Sequence, residues 1–304
     1  MHGVIAAVPT PVNSQGQVQA GLFVTHCQWL LDNGCDGLNI LGSTGEANSF
    51  DSQTRTEIMR LAAKNLDKTH LMVGTGTPSL AETTTLTKTA DDLGYGVALV
   101  LPPYYYKPLS DDGLFNWYAQ LHHALGDRQI AIYFYNFPQM TGLEIPISVI
   151  KRLYTTWPER FRGIKDSSGN LPYCRDLATS LPALAVFPSS EVALAEAHKS
   201  GFAGCISATT NQTGSLCATL WNNRVNSDKS LVAEITHIRE TIAGNALIPS
   251  IKYLVGKRVG SVEWEHLLPP FTKLTKDRKS ELDRLIKQSL HSWHSSKFNK
   301  RETK

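Results

Sequence analysis

Eight short apolar runs punctuate the first two-thirds of this chain, and their order limits the possible folds more than any other feature. They cover residues 4–8, 37–41, 71–74, 97–101, 130–135, 162–165, 184–187 and 204–207. Nearly all are continuous rather than alternating, as expected of parallel strands covered on both faces. Longer stretches of helical character lie between them, at 51–66, 79–93, 111–125 and 191–200. Several of these open on a capping residue: Asp51, Ser79, Ser110 and Ser190. Eight strand-then-helix units within about 220 residues match an α/β fold of the (β/α)8 TIM-barrel type. A doubly wound sheet is the alternative, because strand number alone does not close a barrel. Beyond residue 210 no further strand-like run follows. The expected organisation is a barrel over 1–210, a helical extension packed on it over 211–296, and a frayed tail at 297–304.

Barrel chemistry sits at the C-terminal ends of the strands. Here those ends carry Thr10, Gly42–Ser43–Thr44, Thr75, Pro102–Tyr105, Tyr135–Asn136, Lys165–Asp166, Ser189–Ser190 and Ser207–Thr209. The set is rich in hydroxyls, with one amine, one carboxylate and no histidine. Metal catalysis needs several His, Asp or Glu ligands converging, but the ten histidines fall outside the strand ends and no His-Glu-x-x-His occurs. The stretch 37–44 approaches a phosphate-binding loop but has serine in the lysine position, and Gly74–Thr75–Gly76 supplies only two glycines of a dinucleotide fingerprint. Neither a metal nor an organic cofactor is expected.

Other classes are disfavoured by charge and cysteine usage. The net charge of +3 comes from the last 28 residues, where eight basic residues face four acidic ones. That pattern reads as a solvated end rather than a nucleic-acid surface. No apolar run reaches membrane-spanning length. The apolar N-terminus is cut by Pro9 and Pro11 and lacks a basic lead, so it does not read as a signal peptide. Five scattered cysteines form no Cys-x-x-Cys pair and suit reduced thiols in the cytoplasm.

Period-two alternation places Tyr133 and Tyr135 on one face of their run, with Ile132 and Phe134 on the other. By the same rule Phe161, Gly163 and Lys165 share a face, so that Lys165 projects into the barrel above a glycine that leaves it room. A lysine at a strand end is often merely solvated or paired, here with Asp166. Held in an apolar barrel, however, its neutral form is favoured, and a neutral amine is what attack on a carbonyl requires. The tight Gly42–Gly45 turn, with the adjacent hydroxyls of Ser43 and Thr44, offers a nest of anion size or else an ordinary strand-to-helix turn. The cluster Tyr104–Tyr106 suits packing or a subunit interface.

Taken together, "GSTGE" (42–46), "PPYY" (102–105), "YNFPQMTG" (135–142) and "GIKDSSG" (163–169), in this order and spacing, resemble the dihydrodipicolinate synthase / N-acetylneuraminate lyase family. The opening "AAVPTPV" is similar to that family's first strand, and the resemblance runs from about residue 3 to about residue 290. It implies a (β/α)8 barrel, a homotetramer or homodimer, and attachment of pyruvate or another 2-oxo acid to a lysine. Carried over by position, it implies Lys165 as the Schiff-base lysine and Tyr135 as the proton-transferring hydroxyl. Ser43 and Thr44 would hold the ketoacid carboxylate. Tyr105, usually from a neighbouring subunit, would support the proton relay, and Ile206 would offer its backbone carbonyl.

One position departs from the pattern. Members that condense pyruvate with aspartate semialdehyde usually carry arginine where this chain has Met140. A charge-assisted hydrogen bond is worth about 1.5–3 kcal/mol, so its loss argues against that substrate. Ser189 and Glu191, with Ser190 between them, lie where sialate lyases bind acceptor hydroxyls, and they equally suit capping of the next helix. The expected activity is reversible aldol cleavage of a 2-oxo-3-deoxy sugar acid or related 2-oxo acid into pyruvate and an aldehyde. Dihydrodipicolinate synthesis, a keto-deoxy-sugar-acid dehydratase and a pyruvate-binding regulatory barrel are the alternatives.

Overall fold

Each apolar run becomes a strand, and all eight are parallel. They are β1 (Gly3–Ala7), β2 (Gly37–Ile40), β3 (Leu71–Gly74), β4 (Val97–Val100), β5 (Ala131–Asn136), β6 (Phe161–Asp166), β7 (Ala185–Pro188) and β8 (Gly204–Ser207). The computed structural model describes residues 1–244 and 246–294. The expected tail at 297–304, with the last two residues of the extension, lies outside the described residues. Strands pair in the order β7-β6-β5-β4-β3-β2-β1-β8. The ring is completed where the Ala203 N–H, just before β8, reaches the Val186 carbonyl of β7 at 2.9 Å. The result is a TIM barrel rather than an open doubly wound sheet.

The outer ring contains α1 (Ala20–Asp32), α2 (Ser52–Asn65), α3 (Leu80–Asp92), α4 (Asp111–Leu125), the short α5 (Pro138–Thr141), α6 (Ile147–Thr156), α7 (Leu171–Ser180) and α8 (Ala197–Ser200). Their starts follow from capping chemistry. Asp51 accepts from the Thr54 N–H, Ser79 from Glu82 and Ser110 from Gly113, each satisfying a donor that a helix N-terminus leaves orphaned. Ser190 is the exception and makes no side-chain cap. The stretch after it is a 3-10 segment, Glu191–Glu196, with only one α-helical turn beyond.

Strand alternation sorts the side chains into two cores. Ile132 and Phe134 pack outward with the helices, while Tyr133 and Tyr135 face the barrel axis with Ile5, Met72, Leu99, Phe187 and Ile206. The expectation for β6 needs correcting at its first residue. Phe161 lies in the outer core, stacked on Phe134 at 5.3 Å. The reason is a bulge: Ile132 pairs with Phe161 but Tyr133 pairs with Gly163, leaving Arg162 as an extra residue that resets the alternation. A Cβ on Gly163 would sit 2.7 Å from the Tyr133 ring. The glycine therefore makes room for the neighbouring phenol ring, not for Lys165.

The helices α9 (Thr210–Asn222), α10 (Lys229–Ala243), α11 (Leu247–Val259) and α12 (Lys276–His294) follow the barrel. Ile238, Ile242, Ile251, Leu254, Trp264, Leu282 and Leu285 form a separate apolar centre among the last three. His26 ties this part to the barrel: its Nε2–H reaches Asn211 Oδ1, and its Nδ1 accepts from Arg258 Nη2, both at 2.8 Å. Burial, reinforced by the Arg258 charge, pushes the imidazole down to about 3. No helix among the described residues is long and apolar enough to cross a membrane. All five cysteines are buried and unpaired.

Candidate active site

β5 and β6 run side by side and end together, with Tyr135 and Lys165 paired in register. Both side chains point into the mouth of the barrel. Lys165 is only 4% exposed, and its Nζ lies 4.6 Å from the centroid of the Tyr135 ring. Asp166 is not its partner. That carboxylate points the other way and accepts from Asn136 Nδ2 at 2.7 Å and Ser168 Oγ at 2.8 Å. Burial raises the Asp166 pKa, and these hydrogen bonds oppose the rise. Among the described residues no carboxylate forms an ion pair with Lys165. Its amine therefore faces the Tyr135 ring with no charged partner among the described residues.

Ser43 approaches from across the barrel. β2 ends in a 3-10 turn, Ser43–Gly45, and the Ser43 hydroxyl lies 3.1 Å from the Tyr135 hydroxyl. The turn is packed tightly. A Cβ on Gly74 of β3 would fall 2.0 Å from the Leu41 carbonyl oxygen, so only glycine lets β3 pass beneath it. Thr44 is buried in the same turn, and Ile206 is fully buried on the axis. A small cavity lined by Leu41, Gly42, Ser43, Gly74, Leu99 and Tyr135 opens beside the turn. The structure thus brings together Lys165, Tyr135 and Ser43, with Thr44 and Ile206 in the same wall.

Two expected residues lie on the rim instead. Tyr105, in the connection from β4 to α4, is 72% exposed and packs edge-on against the equally exposed Tyr106. Met140, on α5, is 71% exposed. The two segments are joined by Lys107, whose Nζ donates to the Thr141 carbonyl at 2.9 Å. Ser189 lines a cleft of about 500 Å³ with Ser167, Ser168, Ser190, Glu196 and Arg239.

Glu191 does something other than expected. It neither caps a helix nor lines that cleft. It is fully buried and accepts from Ser207 Oγ at 2.6 Å, Thr213 Oγ1 at 3.1 Å and Arg239 Nη1 at 2.7 Å. A buried carboxylate must be paired in this way, so Glu191 joins the start of the 3-10 segment to β8, α9 and α10. Arg239 escapes sequence reasoning, since a lone arginine in a polar helix carries no signal. Asn136 could have been found: it follows Tyr135 at the strand end, where a side chain facing Asp166 is expected from register.

A (β/α)8 barrel that sets a buried amine against a phenol at its C-terminal mouth has the build of an enzyme for carbonyl chemistry. The chain belongs to the dihydrodipicolinate synthetase family, whose model matches residues 1–289, and it is a lyase of the aldolase type. It is 32% identical over 212 residues to a DapA-like lyase of Chloroflexus aurantiacus, covering 69% of this chain and 70% of that protein. Dihydrodipicolinate synthase from Agrobacterium tumefaciens superposes with a TM-score of 0.87 at 26% identity, over 95% of this chain and 99% of that one. YagE, a prophage protein from E. coli K12 solved in complex with pyruvate, gives 0.87 at 25% identity, over 95% and 98%.

Proposed function

We propose that the enzyme cleaves a 2-oxo-3-deoxy sugar acid, or a related 2-oxo acid, reversibly into pyruvate and an aldehyde through an imine on Lys165. The observation that carries this reading is the triad of an amine over a phenol ring, with that phenol hydrogen-bonded to Ser43. Lys165 adds to the C2 carbonyl to give a carbinolamine, and Tyr135 gives its proton to the departing hydroxide, leaving a protonated imine and a phenolate. The phenolate takes the C4 hydroxyl proton as the C3–C4 bond breaks, and the bonding electrons enter the imine to form an enamine. Protonation at C3 and attack of water then release pyruvate and restore the amine.

Ser43 and Thr44 hold the ketoacid carboxylate through hydroxyl and backbone donors, a small preorganised anion site. Ile206 contributes its carbonyl on the axis. Ser189, with Ser167, Ser168 and Ser190, presents hydroxyls suited to a polyhydroxylated acceptor. The exposed Tyr105, Tyr106 and Met140 form an apolar rim that suits burial against a second copy. In a homodimer or homotetramer Tyr105 would then support the proton relay of the neighbouring mouth. Five reduced thiols suit the cytoplasm.

Purified enzyme incubated with 2-oxo-3-deoxy sugar acids should release pyruvate, measured with a coupled dehydrogenase. Faster condensation of pyruvate with aspartate semialdehyde would instead make it a dihydrodipicolinate synthase, despite Met140. Formation of a new 2-oxo acid without carbon–carbon cleavage would make it a dehydratase.

A further inference from the structure

The turn that carries Ser43 and Thr44 ends on Glu46, and this residue is unusual in three ways. Its backbone is left-handed, with φ 56° and ψ 30°, a conformation that non-glycine residues adopt only at some cost. Its side chain is completely buried. Its carboxylate is held by the C-terminal extension rather than by the barrel. Oε2 accepts from Lys252 Nζ of α11 at 2.6 Å, and Oε1 accepts from the Leu268 N–H, ahead of α12, at 2.9 Å. Lys252 is equally buried. Burial lowers its pKa, and the facing Glu46 charge opposes this. The turn has few other anchors; one is Thr10, whose hydroxyl donates to the Gly45 carbonyl at 2.9 Å.

A left-handed residue persists only where its surroundings over-determine it. Here those surroundings are an ion pair and a backbone N–H lying 206 and 222 residues away in the chain. We infer that Glu46 and Lys252 are positioning residues for the ketoacid carboxylate: the helical extension clamps the Ser43–Thr44 turn in its anion-binding shape. This rests on the Schiff-base reading above. The clamp lies within three residues of Ser43 but on the opposite side of the barrel from the amine, so the carboxylate site and the nucleophile are held by different parts of the molecule. Loosening the clamp should weaken capture of the 2-oxo acid and leave the amine chemistry intact.

The test measures covalent trapping as a function of pyruvate concentration, using borohydride reduction and intact mass, in the full-length enzyme. The double variant Glu46→Gln/Lys252→Met removes both buried charges together and so avoids leaving one unpaired. It should raise the pyruvate concentration for half-maximal trapping by about tenfold or more, as expected when a charge-assisted contact is misplaced, while the plateau adduct yield stays near wild type. Lys252→Arg, which keeps the pair, should restore most of the affinity. A purely structural pair would lower the melting temperature and the plateau but leave the half-saturation point unmoved, and that result overturns the inference. Should the double variant not fold, Leu268→Pro, which removes the N–H tether along with the leucine side chain, is held to the same criterion. Failure of the wild type to trap any 2-oxo acid would overturn the parent reading, and this inference with it. An adduct whose half-saturation ignores both variants overturns the inference alone.

Discussion

Lys165 and Tyr135 owe their meeting to strand register, and each can be removed without emptying the core. Replacing Tyr135 by Phe keeps the ring beneath the amine and deletes only the hydroxyl that reaches Ser43. Turnover of the Tyr135→Phe variant should fall by about 10²- to 10⁴-fold, the usual loss of a general acid–base group. Steady-state kinetics, with a melting curve to exclude unfolding, would check this. His26 makes a pH-dependent prediction of a different kind. Its folded pKa is held near 3, below the ordinary value of 6.5. The unfolded chain therefore binds one more proton between those limits, and stability present above pH 6.5 is lost as the pH falls toward 3. The slope that this residue contributes approaches 1.4 kcal/mol per pH unit inside that window. A His26→Phe variant, weaker at neutral pH, should show a flatter acid limb in denaturant titrations. An unchanged limb would mean that other groups control acid unfolding.

At the scale of elements, the strands were readable because burial on both faces writes itself as continuous apolar runs, and Asp51, Ser79 and Ser110 announce helix starts by capping chemistry. The site was legible where it lies on strands: alternation points Tyr135 and Lys165 inward. It misleads at Phe161, because a bulge is a property of the pairing between β5 and β6 and leaves no trace in β6 alone. Glu191 was misread for a related reason. Its partners Ser207, Thr213 and Arg239 come from three other elements, and a polar side chain before a helix looks the same whether it caps or buries. Glu191→Ala should destabilise the enzyme by about 3 kcal/mol, since it leaves Arg239 and the three buried hydroxyls of Ser207, Thr209 and Thr213 without their acceptor; denaturant titration measures this. Gly74→Ala forces β3 away from the Leu41 carbonyl and should lower the melting temperature by several degrees, on the scale that about 1–3 kcal/mol of overpacking produces.

On the scale of the whole molecule, the barrel delivers chemistry to one mouth while the C-terminal helices grip the far wall of that mouth through Lys252 and Glu46. No sequence pattern pairs residues so distant, so this half of the design emerges only from the fold. The mouth is also where the apolar rim of Tyr105, Tyr106 and Met140 lies. If that rim seats a second copy, as proposed, charged substitutions there, such as Tyr106→Asp with Met140→Asp, should lower the sedimenting mass to that of one chain, with activity falling in step where Tyr105 serves a neighbouring site. All of this presupposes covalent capture at one nitrogen. The most direct check is to reduce an enzyme–pyruvate mixture with borohydride and map the modified peptide by mass spectrometry. The expected result is a single stable adduct on Lys165, absent from Lys165→Ala. An adduct on any other lysine, or an undiminished one in the Lys165→Ala enzyme, would contradict the account.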